Sequence, residues 1–150
     1  MKNKNLISNI SSIIVGVLIY IFMSCAHVVV DLGVLGQASA NGYDMLGEGT
    51  PALIGIGGYI LVILAAVMIL AGIIGLLMDF KVFSNEKFAK ILSIILFVVN
   101  IVVAVASILV VIGIAVEEMR IGWAAIINMV ITMLAAALSI FGVVKTKKSK

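Results

Sequence analysis

The chain has 150 residues, of which 64% are hydrophobic and 11% charged, with a net charge of +3, one Pro, one Cys and one His. Soluble domains carry roughly 45–50% apolar and about 25% charged residues, so the composition excludes a soluble globular domain and a disordered chain alike. The single cysteine excludes an internal disulfide framework and a dithiol redox pair.

A helix needs about 20 apolar residues to cross a hydrocarbon core of roughly 30 Å. Four runs, at about 10–30, 52–78, 91–116 and 123–144, meet that length and contain no Asp, Glu, Lys or Arg. Inside lipid each must satisfy its own backbone, which predicts helices. The runs are too long for barrel strands and lack their period-two alternation. The expected fold is all-α: a single domain of four transmembrane helices in an antiparallel bundle.

Lys2 and Lys4 precede the first run. A basic start before an apolar stretch has the outline of a signal peptide, but a run of about 21 residues exceeds an ordinary signal core, so it is expected to be a span. Met23-Ser24-Cys25 has a faint likeness to a lipoprotein cleavage site, with Phe22 where an aliphatic residue belongs. The expectation for Cys25 is a small membrane-buried thiol.

The outer segment 31–51 carries Gly33, Gly36, Gly42, Gly47 and Gly49, with turn signals at Asn41-Gly42 and Thr50-Pro51. Too short to hold a core of its own, it is expected to cap the bundle mouth, with Pro51 opening the second helix. The second and third runs exceed the core thickness, which predicts tilting or projection beyond the membrane face. The short turn 117–122 predicts a hairpin of spans three and four. Trp123 and Tyr59 fit the outer boundary as aromatic anchors, and Phe80 and Phe83 the inner one.

Nine of the ten basic residues fall on one side: Lys2, Lys4, Lys81, Lys87, Lys90, Lys145, Lys147, Lys148 and Lys150. Only Arg120 opposes them, together with Asp31, Asp44, Glu48, Glu117 and Glu118. The positive-inside rule makes the basic side cytoplasmic, with both termini in. The alkaline balance is then a matter of topology and of attraction to anionic lipid at the inner face; it calls for no nucleic acid. Small size, short loops and lysine-rich ends point to a bacterial cytoplasmic membrane.

Lipid tails are as apolar as Leu, so small residues and interhelical hydrogen bonds must hold the helices together. Span four offers Ala124, Asn128, Thr132 and Ala136 at i, i+4 spacing, and span three offers Asn100, Ala104 and Ser107 on roughly one face. Either these stripes pack the bundle interior, or they join subunits or line a wet path. Asn100 and Asn128 weigh most, because an amide facing lipid goes unpaired. Asn128→Leu is expected to cost about 1 kcal/mol.

Little points to catalysis. One histidine excludes zinc sites built on paired His, and no phosphate-binding glycine loop of Walker type occurs. With the first helix running to Val30, His27 and Asp31 stand one turn apart. With Glu117 and Glu118 they form a weak outer-face cluster for a cation or proton. The plainer reading places His27 at the headgroup boundary among solvated acids. Coupled transport needs an ionisable residue inside the membrane, and the four runs hold none. Small multidrug-resistance transporters and vacuolar-type rotor proteolipids depend on such a carboxylate, and claudin-like proteins on outer-loop Trp and Cys residues missing from 31–51.

The chain is therefore expected to be no enzyme and to need no cofactor or metal. The leading expectation is a small membrane protein acting through helix packing, as a homo-oligomer or an accessory subunit of a larger complex. The alternative is a passive oligomeric pore or facilitator for a small cation or solute, lined by the Asn100/Ser107 or Asn128/Thr132 faces.

Overall fold

Helix formation follows the four apolar runs over most of their length. The computed structural model describes residues 3–82 and 85–147. Among these, α1 (Asn3–Met23), α2 (Ala52–Asp79), α3 (Glu86–Val116) and α4 (Trp123–Lys147) are long and apolar enough to cross a membrane. Lys2, Lys148 and Lys150, which count towards the expected charge asymmetry, and Phe83, one of the expected inner aromatic anchors, lie outside the described residues.

The C-terminal end of the first run departs from expectation. The helix stops at Met23, and Ser24 and Cys25 turn the chain through hydrogen bonds to Ile21 O and Phe22 O. The residues that follow form strand β1 (Ala26–Asp31), paired antiparallel with β2 (Gln37–Asn41) on one edge and β3 (Arg120–Ile121) on the other. The all-α expectation is thus corrected: the chain is mostly helical, with a three-stranded sheet beside the helices. The consecutive valines 28–30 suit a pleated strand, and an apolar run by itself does not separate helix from buried strand. Once β2 and β3 supply partners, β1 satisfies its backbone without helix.

The β1–β2 hairpin turns through residues 32–36, where Leu32 N–H donates to Gly36 O at 2.8 Å. Gly33 and Gly36 adopt φ of 63° and 93°, left-handed values that favour glycine. After β2, Asn41 Oδ1 accepts from the backbone of Tyr43 and Asp44, both at 2.9 Å, and a short 3-10 turn, Asp44–Leu46, leads on towards Pro51. This segment is fastened to the helix ends. Gly42 N–H donates to Met23 O at 2.7 Å, the Tyr59 hydroxyl donates to Leu46 O at 2.6 Å, and Met45 is buried.

The helices contact one another in a ring: α1 on α2, α2 on α3, α3 on α4 and α4 back on α1. Close approach depends on glycine where backbones meet. A Cβ on Gly72 would lie 2.8 Å from Asn9 O, one on Gly16 2.9 Å from Ala65 O, and one on Gly57 2.9 Å from Ala106 O. Residue numbers along α2 therefore fall as those along α1 rise; Tyr20, further along α1, donates its hydroxyl to Val62 O at 2.8 Å. Ile19, Leu61, Met68, Val103 and Ile114 fill the centre, while Ile14, Ile21, Ile63, Leu70, Val98 and Leu138 cover the exterior. At 28 residues α2 rises about 42 Å, more than a typical hydrocarbon core.

Candidate functional site

Four of the buried polar residues, His27, Asn128, Thr132 and Ser107, run from where β1 meets α4 down the α3–α4 seam. His27, on β1, is 1% exposed. It reaches this depth because the start of α4 is built from small residues. Ala124 and Ala125 are buried, and Gly122 N–H donates to His27 O at 2.6 Å, so close that a Cβ on Gly122 would collide with Ala26 O.

His27 Nδ1 lies 3.0 Å from Cys25 O. A carbonyl only accepts, so Nδ1 carries the proton and Nε2 is left as an acceptor. Asn128 Nδ2, 3.2 Å away, is the donor it receives. Burial pushes the His27 pKa below its usual 6.5, and the bond to Cys25 O offsets this in part. Asn128 Oδ1, on the other side of the same amide, is buried and has no hydrogen-bond partner.

One turn further along α4, the Thr132 hydroxyl lies 2.8 Å from Asn128 O and 3.0 Å from Met129 O. It also lies 2.7 Å from Ser107 Oγ of α3, itself 2.8 Å from Ala104 O. Two hydroxyl protons serve this set, so one hydroxyl bonds across the seam while the other bonds back to its own helix. Asn100 is 3% exposed and donates to Leu96 O of its own helix at 2.8 Å.

The sequence-predicted stripes are thus all interior: Asn100, Ala104, Ser107, Ala124, Asn128, Thr132 and Ala136 are buried within one chain. Ser107 and Thr132 meet directly, and Asn128 joins them through its carbonyl; Asn100 does not reach α4 by a hydrogen bond. The outer-face cluster does not assemble. On a strand His27 and Asp31 stand about 13 Å apart instead of one helical turn. Asp31 Oδ1 accepts from Gly33 N at 2.9 Å, and Glu117 and Glu118 are exposed on the α3–β3 turn. Solvated acids do not surround His27, contrary to the plainer expectation; it is buried between sheet and helix. Cys25 is half-buried, its thiol 3.6 Å from Ile21 O.

A second polar contact escaped the sequence reading. At the opposite end of the helices Asn9 Nδ2 donates to Asp79 Oδ2 at 2.9 Å, beside a cavity of about 40 Å³ bounded by Ser8, Gly75, Ser93 and Leu96. Asn9 preceded the first apolar run as delimited. Its signal is the series Asn9, Ser12 and Gly16, all buried and at helical spacing. No group of three or more His, Cys, Asp or Glu that could hold a metal ion occurs among the described residues.

The chain matches no protein-family model, no curated protein and no solved structure.

Proposed function

We propose that this chain is a small, non-enzymatic integral membrane protein that acts through packing contacts, as a homo-oligomer or as an accessory subunit of a larger membrane complex. The observation that carries the reading is the hairpin tip between β1 and β2. Leu32, Val34 and Leu35 are 48%, 106% and 87% exposed there, outside the four helices. Apolar side chains on the helix exteriors are accounted for by lipid. An apolar group displayed at a loop tip beyond them is the kind of surface a protein partner covers.

In this reading the helices form an antiparallel bundle with both termini cytoplasmic. The falling and rising residue numbers across the α1–α2 contact support the first part, and the one-sided distribution of lysines between the apolar runs supports the second. The basic inner face rests on anionic lipid. A bacterial cytoplasmic membrane suits the short loops and lysine-rich ends.

The alternative, a passive pore or facilitator for a small cation or solute, needs a polar lining. Ser107 and Thr132 are spent on one another and the Asn128 amide nitrogen on His27, all inside one chain, and copies meeting side by side would present chiefly isoleucine, leucine and valine.

Native mass spectrometry of protein released from its own membrane in mild detergent tests the proposal. A discrete homo-oligomer or a stoichiometric second protein is expected, lost when Leu32, Val34 and Leu35 are replaced by Ser. A bare monomer overturns the reading. Solute flux across liposomes carrying the purified protein would move the case to the pore.

A further inference from the structure

We propose that His27 and Asn128 form a two-position proton switch at the junction of β1 and α4: the neutral imidazole accepts from the Asn128 amide nitrogen, and the protonated imidazole donates to the oxygen of the same amide turned over.

The geometry fixes which atom titrates. Nδ1 is committed to Cys25 O at 3.0 Å, and a carbonyl requires that proton in both states. The exchangeable position is therefore Nε2, which faces Asn128 Nδ2 at 3.2 Å. When Nε2 gains a proton, two N–H groups confront each other and the present contact fails. The remedy lies within the same side chain, because Asn128 Oδ1 is buried and unpartnered. A half-turn about the Cβ–Cγ bond exchanges oxygen and nitrogen within nearly the same volume. It converts the contact into Nε2–H donating to Oδ1, a charge-assisted bond shorter and stronger than the neutral one.

Each position makes one His–Asn hydrogen bond and leaves one amide group unpaired, Oδ1 in the first and Nδ2 in the second. Hydrogen-bond count therefore favours neither, and the proton decides between them.

Few charges surround the pair. Among the described side chains, β2 and the stretch of α4 from Trp123 to Ile140 contribute no ionisable group, and α1 contributes Tyr20, which donates to Val62 O. β1 itself contributes Asp31, held by Gly33 N, with Cys25 just before it. β3 contributes Arg120, exposed and paired in register with Val29, and the turn before it the exposed Glu117 and Glu118. The causes that set the titration of His27 are burial first and the Cys25 carbonyl second. The switch thus lies below the ordinary imidazole range. It places a charge between sheet and bundle only in an acidified medium on that side of the membrane.

His27 is the chain's only histidine, so nitrogen-15 labelling of histidine and asparagine in the full protein in lipid nanodiscs reports a single imidazole, and the Asn128 side-chain amide is assigned by its loss in Asn128→Asp. Spectra taken from pH 8 to pH 4 are expected to show the Nδ1–H tautomer first. A second proton then arrives at Nε2 with a midpoint below that of a free imidazole, and the Asn128 side-chain amide resonances move in the same transition. Asn128→Asp, which presents an acceptor in either position, is expected to raise the midpoint by about one unit or more. An Nε2–H tautomer at pH 8, or amide resonances indifferent to the His27 titration, overturns the proposal. So does a midpoint unmoved in Asn128→Asp, or unfolding before His27 protonates. Should Asn128→Asp fail to fold, the wild-type tautomer and the coupled amide shift decide the matter alone.

Discussion

Ser107 Oγ on α3 and Thr132 Oγ1 on α4 lie 2.7 Å apart with both side chains 1% exposed, the one side-chain hydrogen bond joining these two helices among the described residues. Each hydroxyl also has a carbonyl of its own helix within reach. Removing one partner therefore leaves the other paired locally. The expected coupling is accordingly modest, about 0.6 kcal/mol, in line with polar pairs inside membranes. A double-mutant cycle of Ser107→Ala and Thr132→Val, read by reversible unfolding in mixed micelles, measures it. Strict additivity would remove the contact from the account of α3–α4 packing.

Gly72 supports α1 against α2 by having no side chain. A Cβ there would meet Asn9 O at 2.8 Å and Ile13 Cγ1 at 2.6 Å, and the first of these is backbone that cannot swing aside. Gly72→Ala is expected to destabilise by about 1–3 kcal/mol, the range of overpacking. Gly55, whose Cβ would find only Thr50 Cγ2 at 3.8 Å, is the control. Gly55→Ala should be neutral or slightly stabilising, as alanine in a helix usually is. Equal effects at the two positions would contradict the close approach of α1 and α2 at Gly72.

The buried His27 makes stability depend on pH. Its folded pKa lies below the usual 6.5 because burial disfavours the charged form, so below that value the unfolded chain binds more protons than the folded one. Stability is then complete above about pH 6.5 and declines as pH falls towards the folded value. Thermal unfolding at pH 8 and pH 5 should show a lower Tm in acid. His27→Gln should remove most of the difference. An acid-insensitive wild type would mean that His27 is not sealed from water.

The hairpin tip offers a separation of stability from assembly. Val34 and Leu35 have almost no packing to lose and Leu32 is half exposed, and exposed substitutions of this kind usually stay within about 0.5 kcal/mol. The triple Ser variant is expected to keep its Tm while losing the oligomer or the bound partner in native mass spectrometry. Loss of both together would assign the tip a folding role instead.

Much of the seam was legible in sequence because the argument for it was local. An amide or hydroxyl inside an apolar helix must turn to protein, and 3.6-residue periodicity places Asn128, Thr132 and Ala136 on one side. The burial of Asn100, Ser107, Asn128 and Thr132 agrees with that. The partner of each was not legible. Asn128 meets His27, 101 residues earlier in the chain, and Asn9 meets Asp79 across 70 residues. Spacing along one helix carries no information about such pairs.

Sequence by itself determined that four segments are apolar enough to leave water, since transfer to lipid depends on composition summed along a stretch. Only the tertiary structure decided where the first helix ends. Residues 26–30 continue the apolar run, but β2 and β3 arrive from later in the chain to pair both edges of β1. A backbone chooses strand over helix when distant edges satisfy its N–H and C=O groups. That choice carried His27 away from Asp31 and buried it against Asn128.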